Sequence, residues 1–150
     1  MKLNLTIIAI ILSSMFTVLA FSQAITSLQF ADEISDKKEV TFGEVVKFFA
    51  LTVQGQSSSF ENDLNYLVRN NIAHGIKLKE NDIVKMGTLS LMTARALNLK
   101  NTLLYNITGA KRYAVRACAA AGLIEEASGV LDKVSGEELI EIMRKIGQAY

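Results

Sequence analysis

The sequence predicts an all-α fold: a single domain of two helix-pair repeats closed by a final C-terminal helix, following a signal peptide. Three observations carry this expectation. Aliphatic pairs recur at Val40/Val45, Val84/Leu89 and Val134/Leu139, each followed by apolar residues at helical spacing. Two segments ending in Gly and an aliphatic residue, Tyr66–Ile76 and Tyr113–Leu123, align without a gap. No stretch sustains period-2 alternation, so short paired residues in the links are the most β-structure expected.

In chain order, residues 1–24 read as a secretory signal. Met1-Lys2-Leu3-Asn4 is a short basic start, and Leu5 to Leu19 is a nearly unbroken apolar run. Small residues stand at two cleavage positions, Val18-Leu19-Ala20 and Ser22-Gln23-Ala24. The run is short for a membrane span and lacks a basic stop-transfer flank, so a cleaved signal is expected, with an uncleaved anchor as the alternative. The mature domain is then 25–150. Removing the signal deletes Lys2 and no acid, so the net charge falls from +1 to zero, with 15 basic and 15 acidic side chains. This balance speaks against nucleic acid as a partner, which calls for a clustered basic face. The chain has no Pro, which excludes a Pro-rich linker.

A short helix is expected over 25–34, then longer ones near 41–54, 60–74, 85–99, 109–121 and 135–148. Gly55-Gln56-Ser57-Ser58-Ser59 and Lys100 to Thr108 are loops by composition. Helix starts are the firmest features. Thr41 with Glu44 and Ser135 with Glu138 fit the capping box, in which each side chain satisfies a free amide of the other's backbone. The aliphatic pairs named above occupy the hydrophobic-staple positions, and the middle copy keeps the staple without the box. Gly75 and Gly122 are expected to end helices in the left-handed conformation, with Ile76 and Leu123 packing back on the last turn. Repeat-like units thus cover about 40–83 and 84–133, with the closing helix at 135–148.

This pattern resembles S-layer homology (SLH) domains, envelope modules with two principal helices per unit that usually occur in threes. The segments Leu67–Ile76 and Ala114–Ile124 are similar to the family's helix ending in Ala-x-x-Gly-Ile, and Val40-Thr41-Phe42-Gly43-Glu44 to its Ile-Thr-Arg-Ala-Glu motif. The resemblance implies an SLH-like helical repeat domain that binds at the cell envelope. In the family the motif's Arg helps hold an anionic wall polymer, and a guanidinium suits bidentate carboxylate contact. Here Phe42, Met86 and Gly136 stand at that position, and Lys77 to Asp82 replaces the family's Gly- and Pro-containing connection.

Candidate chemistry is sparse. His74 is the sole His, which rules out a His-pair metal site, and its place beside Gly75 suggests a helix C-terminus. Cys118 is the sole Cys and lies in an Ala-rich, apolar setting that dulls a thiol. No Gly-x-Ser-x-Gly elbow and no phosphate-cradling Gly loop is present. Glu125-Glu126 and Glu137-Glu138 read as solvated pairs. Lys111, Arg112 and Arg116 cluster at one helix start, and Arg69 recurs at the position of Arg116 in the aligned segments; these four form the candidate binding surface. The expected function is an exported, non-catalytic interaction module of the periplasm, cell envelope or extracellular space, without cofactor, binding an envelope protein. The alternatives are SLH-type wall-glycan anchoring and a small exported enzyme using Cys118 or His74.

Overall fold

The structure, a computed structural model, describes residues 28–99 and 110–148. Residues 1–24, read above as a signal, and Lys100 to Thr108, read above as a loop, lie outside the described residues. The described chain is all-helical: α1 (28–35), α2 (Phe42–Gln54), α3 (Phe60–Arg69), α4 (Met86–Ala96), α5 (Lys111–Ala120) and α6 (Gly136–Gly147). Among the described residues no strand forms; two isolated antiparallel bridges, Thr41↔Ile83 and Lys85↔Lys133, sit in the links.

Helices α2, α4 and α6 start where the staple pairs place them. In α2 the Glu44 amide donates to Thr41 Oγ1 at 3.4 Å and the Thr41 amide donates back to Glu44 Oε2 at 2.8 Å. In α6 the same exchange joins Ser135 and Glu138, at 3.2 and 2.8 Å. At α4 the N-cap Lys85 offers no side-chain cap, and its carbonyl accepts from Thr88 N at 2.8 Å instead. All six staple residues are fully buried.

The three valines do more than staple. Val40 N donates to the Val134 carbonyl (2.9 Å), Val84 N to that of Val40 (3.0 Å) and Val134 N to that of Val84 (3.4 Å). These bonds close a three-membered backbone ring at the hub of the domain. Around it, each inner helix takes a crossing link over its first turn. Phe42 N and Gly43 N donate to the Asp82 and Glu80 carbonyls, both at 2.8 Å. Met86 N and Gly87 N donate to Asp132 (2.8 Å) and Val130 (2.9 Å), and Gly136 N to Lys37 (2.8 Å). A helix start leaves several amides without an intrahelical partner. Here link carbonyls and caps take the amides of Phe42, Gly43, Glu44, Met86, Gly87, Gly136 and Glu138.

Such close crossings explain the glycines. A Cβ on Gly43 would sit 2.7 Å from Glu80 Cγ, and one on Gly87 would sit 2.9 Å from the Val130 carbonyl oxygen. On Gly136 it would land on the Ile34 carbonyl. That last approach brings the end of α1 onto the start of α6. Helix α1 therefore precedes α2 in the chain much as α3 precedes α4 and α5 precedes α6, its link being the shortest.

The main core gathers Ile34, Phe42, Phe49, Leu67, Met92 and Ile146 with the valine ring, and a smaller cluster of Leu91, Ala94, Ala114, Cys118 and Leu123 lies between α4 and α5. Phe30 of α1 meets Phe48 edge-on at 5.6 Å between centroids. The Gly55–Ser59 loop is anchored by the buried Asp63 carboxylate, which accepts from Ser57 Oγ (2.5 Å) and Ser58 N (3.0 Å).

Helix ends differ from expectation in one instructive place. Gly122 (φ 70°) follows the C-cap of α5, with Leu123 N donating to Cys118 O at 2.9 Å and Gly122 N to Ala119 O at 2.8 Å, a Schellman closure. In the aligned segment α3 stops at Arg69 rather than continuing to residue 74. There Asn71 (φ 61°) takes the left-handed role, and Ile72 N donates to Leu67 O at 2.8 Å. Asn tolerates that conformation better than most residues with a Cβ, so it ends the helix before Gly75 is reached. Gly75 (φ 75°) then serves a second turn. Asn98 (φ 49°) ends α4 in the same way.

Two expectations follow. Gly136→Ala should destabilise the domain by about 1–3 kcal/mol in denaturant unfolding, because the methyl group meets backbone that cannot swing aside. Gly147→Ala, whose Cβ meets nothing closer than Thr52 Cγ2 at 3.9 Å, should be neutral or stabilising by up to about 1 kcal/mol. The second concerns pH. Partial burial pushes the Glu44 carboxyl up, but hydrogen bonds from Lys37 and from the Thr41 amide and hydroxyl outweigh it and hold it below its ordinary value. A depressed folded-state value means stability present above the unfolded value and lost as pH falls through the folded one. The unfolding midpoint should therefore drop as pH falls below about 4.5, and Glu44→Gln should flatten that drop.

Candidate functional site

A surface cavity of about 440 Å³ lies between the link that follows α5 and the outer face of α6. Local folding builds it. The Gly122 turn sends Leu123 back into the α4–α5 cluster, and Ile124 rests against both cores. The link then turns twice, with Ser128 N donating to Glu125 O at 3.1 Å and Gly129 N to Asp132 Oδ2 at 2.6 Å. The second turn repeats that of Lys79 N on Asp82 Oδ2 (2.7 Å), two residues before Val84. Met86, Leu123, Ile124 and Ile142 form the floor; Glu125 and Ser128 line one wall, and Glu137, Glu138, Glu141 and Lys145 the other.

Electrostatics of the walls are uneven. Lys145 Nζ donates to the Gly122 carbonyl at 2.9 Å and pairs with Glu141 at 3.4 Å, so it closes one end of the groove. It does for α5 what Arg95 does for the end of α3, where Nη1 donates to His74 O at 2.7 Å. Arg144 grips Glu141 with two bonds of 2.8 and 2.9 Å, which, with help from Lys145, pull the exposed Glu141 carboxyl down to about 2. Glu138 is engaged by the capping box. Glu125 and Glu137 are exposed and form no ion pair among the described residues.

A second cavity of about 320 Å³ opens beside α2, between Phe30 and Phe60, with Lys47, Ser57, Asp63 and Asn81 among its lining. Lys47 lies over the Phe30 ring at 4.1 Å, and Phe60 meets Phe42 edge-on at 6.0 Å.

The four basic residues proposed from sequence line neither cavity. Lys111 Nζ donates to Thr88 Oγ1 at 2.8 Å and tethers α5 to α4. Arg112 lies over the Tyr113 ring at 4.7 Å and donates to its hydroxyl at 2.8 Å. Arg116 is exposed one turn beyond Arg112 on α5, while Arg69 is exposed on α3. The residues brought to the groove are instead glutamates read separately as solvated pairs. Glu125 and Glu137 belong to different segments, and no local pattern marks them as neighbours.

His74 lies beyond the end of α3, in the turn leading to Gly75, and is exposed; its carbonyl, not its imidazole, is bonded. Cys118 is fully buried and donates to the Ser90 carbonyl at 3.4 Å. Burial pushes its thiol up to about 12, outweighing the polar groups of Ser90 and Ala94. Among the described residues no group of three or more His, Cys, Asp or Glu is placed to hold a metal ion, and no helix is long and apolar enough to cross a membrane.

Raising the thiol from its ordinary 9 to about 12 cuts the thiolate population at pH 8 by about a thousandfold. Iodoacetamide should accordingly label Cys118 at least about a thousandfold more slowly in the folded chain than in guanidinium, as read by mass spectrometry. Labelling at comparable rates would place the thiol in an accessible, activated setting. Compared with protein-family models, curated proteins and solved structures, the chain finds no match in any of the three.

Proposed function

We propose that this chain is an exported, non-catalytic interaction module of the cell envelope, SLH-like in architecture, that binds a protein partner within an envelope assembly. Export rests on the signal-type composition of residues 1–24. The SLH-like reading is supported by the recurrence of one inner-helix start three times, the copies being joined in a single ring by Val40, Val84 and Val134.

One observation carries the choice of a protein partner over the wall polymer. The positions of the family's polymer-binding Arg are occupied by Phe42, buried against Phe60, by Met86, buried beneath the groove, and by Gly136, pressed on Ile34. None supplies a cation. An anionic polymer would find there no guanidinium to pair with its charges. The states of the two candidate catalytic residues support binding over catalysis: the Cys118 thiol is buried and pushed up to about 12, and among the described residues the exposed His74 imidazole makes no hydrogen bond. A second reading, wall glycan, draws on the α2 cavity, where Phe60 lies beside Ser57 and Asn81 as an aromatic wall with hydroxyl and amide groups.

The test is a pulldown of the chain as exported, offered isolated sacculi and solubilised envelope proteins in parallel, with Arg116→Ala as a comparison. A specific envelope protein should be retained and then bind saturably when purified, while sacculi are not. Saturable sacculus binding, whether or not Arg116→Ala removes it, would reverse the order of the two readings. Hydrolysis of an envelope substrate lost in Cys118→Ala would overturn the non-catalytic one.

A further inference from the structure

The groove beside α6 joins an apolar floor to a predominantly acidic rim. Its floor consists of Met86, Leu123, Ile124 and Ile142, side chains that offer an occupant dispersion contacts and desolvation but no strong hydrogen bond. Its volume of about 440 Å³ is at the lower end for a binding pocket, suited to one or two large side chains. Above the floor stand four glutamates and one lysine. The lysine is already committed to Glu141 and to the Gly122 carbonyl. The charges left without a partner, Glu125 and Glu137, are both negative and come from opposite walls.

An anionic occupant is disfavoured twice over. The carboxylates repel it, and two of the first three amides of α6, Gly136 N and Glu138 N, already donate to Lys37 O and Ser135 Oγ, which leaves little of the helix start for an anion. Nor does the architecture demand this acidity. Counted from the ring valines, Glu137, Glu138 and Glu141 correspond to Gly87, Thr88 and Leu91 in α4 and to Gly43, Glu44 and Lys47 in α2. The cap position alone is shared, between Glu138 and Glu44. The same helix start is built elsewhere in the chain without a run of carboxylates.

We infer that this groove docks a short segment of a partner protein carrying one aliphatic side chain flanked by Lys or Arg. The aliphatic group fills the floor, and the cations reach Glu125 on one wall and Glu137 on the other. This inference rests on the protein-partner reading above and assigns that partner's chemistry.

The test measures binding of short blocked peptides to the full chain by calorimetry: Lys-Leu-Lys, Glu-Leu-Glu and Lys-Ser-Lys cores in a common Gly/Ser background. The Lys-Leu-Lys peptide should bind one to one, with an affinity that falls as salt rises. The other two should bind at least about tenfold more weakly. Replacing Glu125→Gln together with Glu137→Gln should weaken the Lys-Leu-Lys peptide about fivefold and remove most of the salt dependence. Ser128→Arg, which fills the groove and neutralises its wall, should abolish binding. Both glutamates are exposed and unpaired, so far-UV dichroism and the unfolding midpoint should be unchanged in the double variant. Equal binding of the Glu-Leu-Glu peptide, or undiminished binding in the double variant or in Ser128→Arg, would overturn the assignment. So would self-association of the wild-type chain that the double variant abolishes, since a second copy would then occupy the groove. The pulldown separates this inference from the reading beneath it. An envelope protein captured equally by wild type and both groove variants refutes the groove and leaves the protein partner standing.

Discussion

The ring of backbone bonds among Val40, Val84 and Val134 is the constraint on which the domain depends. Each of these residues is fully buried, and a buried amide or carbonyl without a partner costs about 1–3 kcal/mol. Three such residues, far apart in sequence, satisfy one another. No pair of them completes the arrangement, because each donates to one neighbour and accepts from the other. Closure therefore requires all three inner helices at once, which is why the repeats form one domain rather than a string of independent units.

The position of the groove follows from that closure. To reach the ring, the links must pass over the first turns of the inner helices, where their carbonyls replace the missing intrahelical acceptors. The link after α5 crosses α4 at Gly87 and then feeds α6 through Val134, so it runs past Met86 and beside the start of α6. What remains between its earlier half and α6 is a concave strip with hydrophobic residues beneath. Met86 belongs both to the buried core and to the floor of this strip. Met86 thus joins the groove to the packing that holds the ring.

Much of this fold was legible in the sequence because helix starts are written locally. Thr41 with Glu44, Ser135 with Glu138 and the staple aliphatics are a few residues apart, and their geometry follows from the chain alone. The glycines at 43, 87 and 136 were visible within the same motif, but their reason was not. It lies in Glu80, Val130 and Ile34, which approach from other segments. The end of α3 was misread for a local reason: Gly75 is the stronger left-handed residue, yet Asn71 comes first and suffices. Candidate site residues fared differently again. A basic cluster on α5 is conspicuous in a linear reading, whereas Glu125 and Glu137 become neighbours after the link has folded back. Side chains that meet across a groove leave no spacing to recognise.

The three copies also show how one frame carries different surfaces. The ring and the crossing carbonyls involve backbone atoms, so they constrain side chains chiefly at the staple valines and at the glycines beneath each crossing. Elsewhere the copies diverge. The middle start dispenses with a capping box, since Lys85 O accepts from Thr88 N and the Asp132 and Val130 carbonyls take the first two amides. The outer-helix ends keep a cation from the following inner helix, as Arg95 in one copy and Lys145 in the next, while α2 has the buried Leu51 at that register. A frame held by main-chain bonds leaves the third copy free to place carboxylates at Glu137 and Glu141, where α4 buries Gly87 and Leu91. Surface chemistry on such a domain can change copy by copy without disturbing the hub, and the acidity beside α6 is a property of its own copy rather than of the fold.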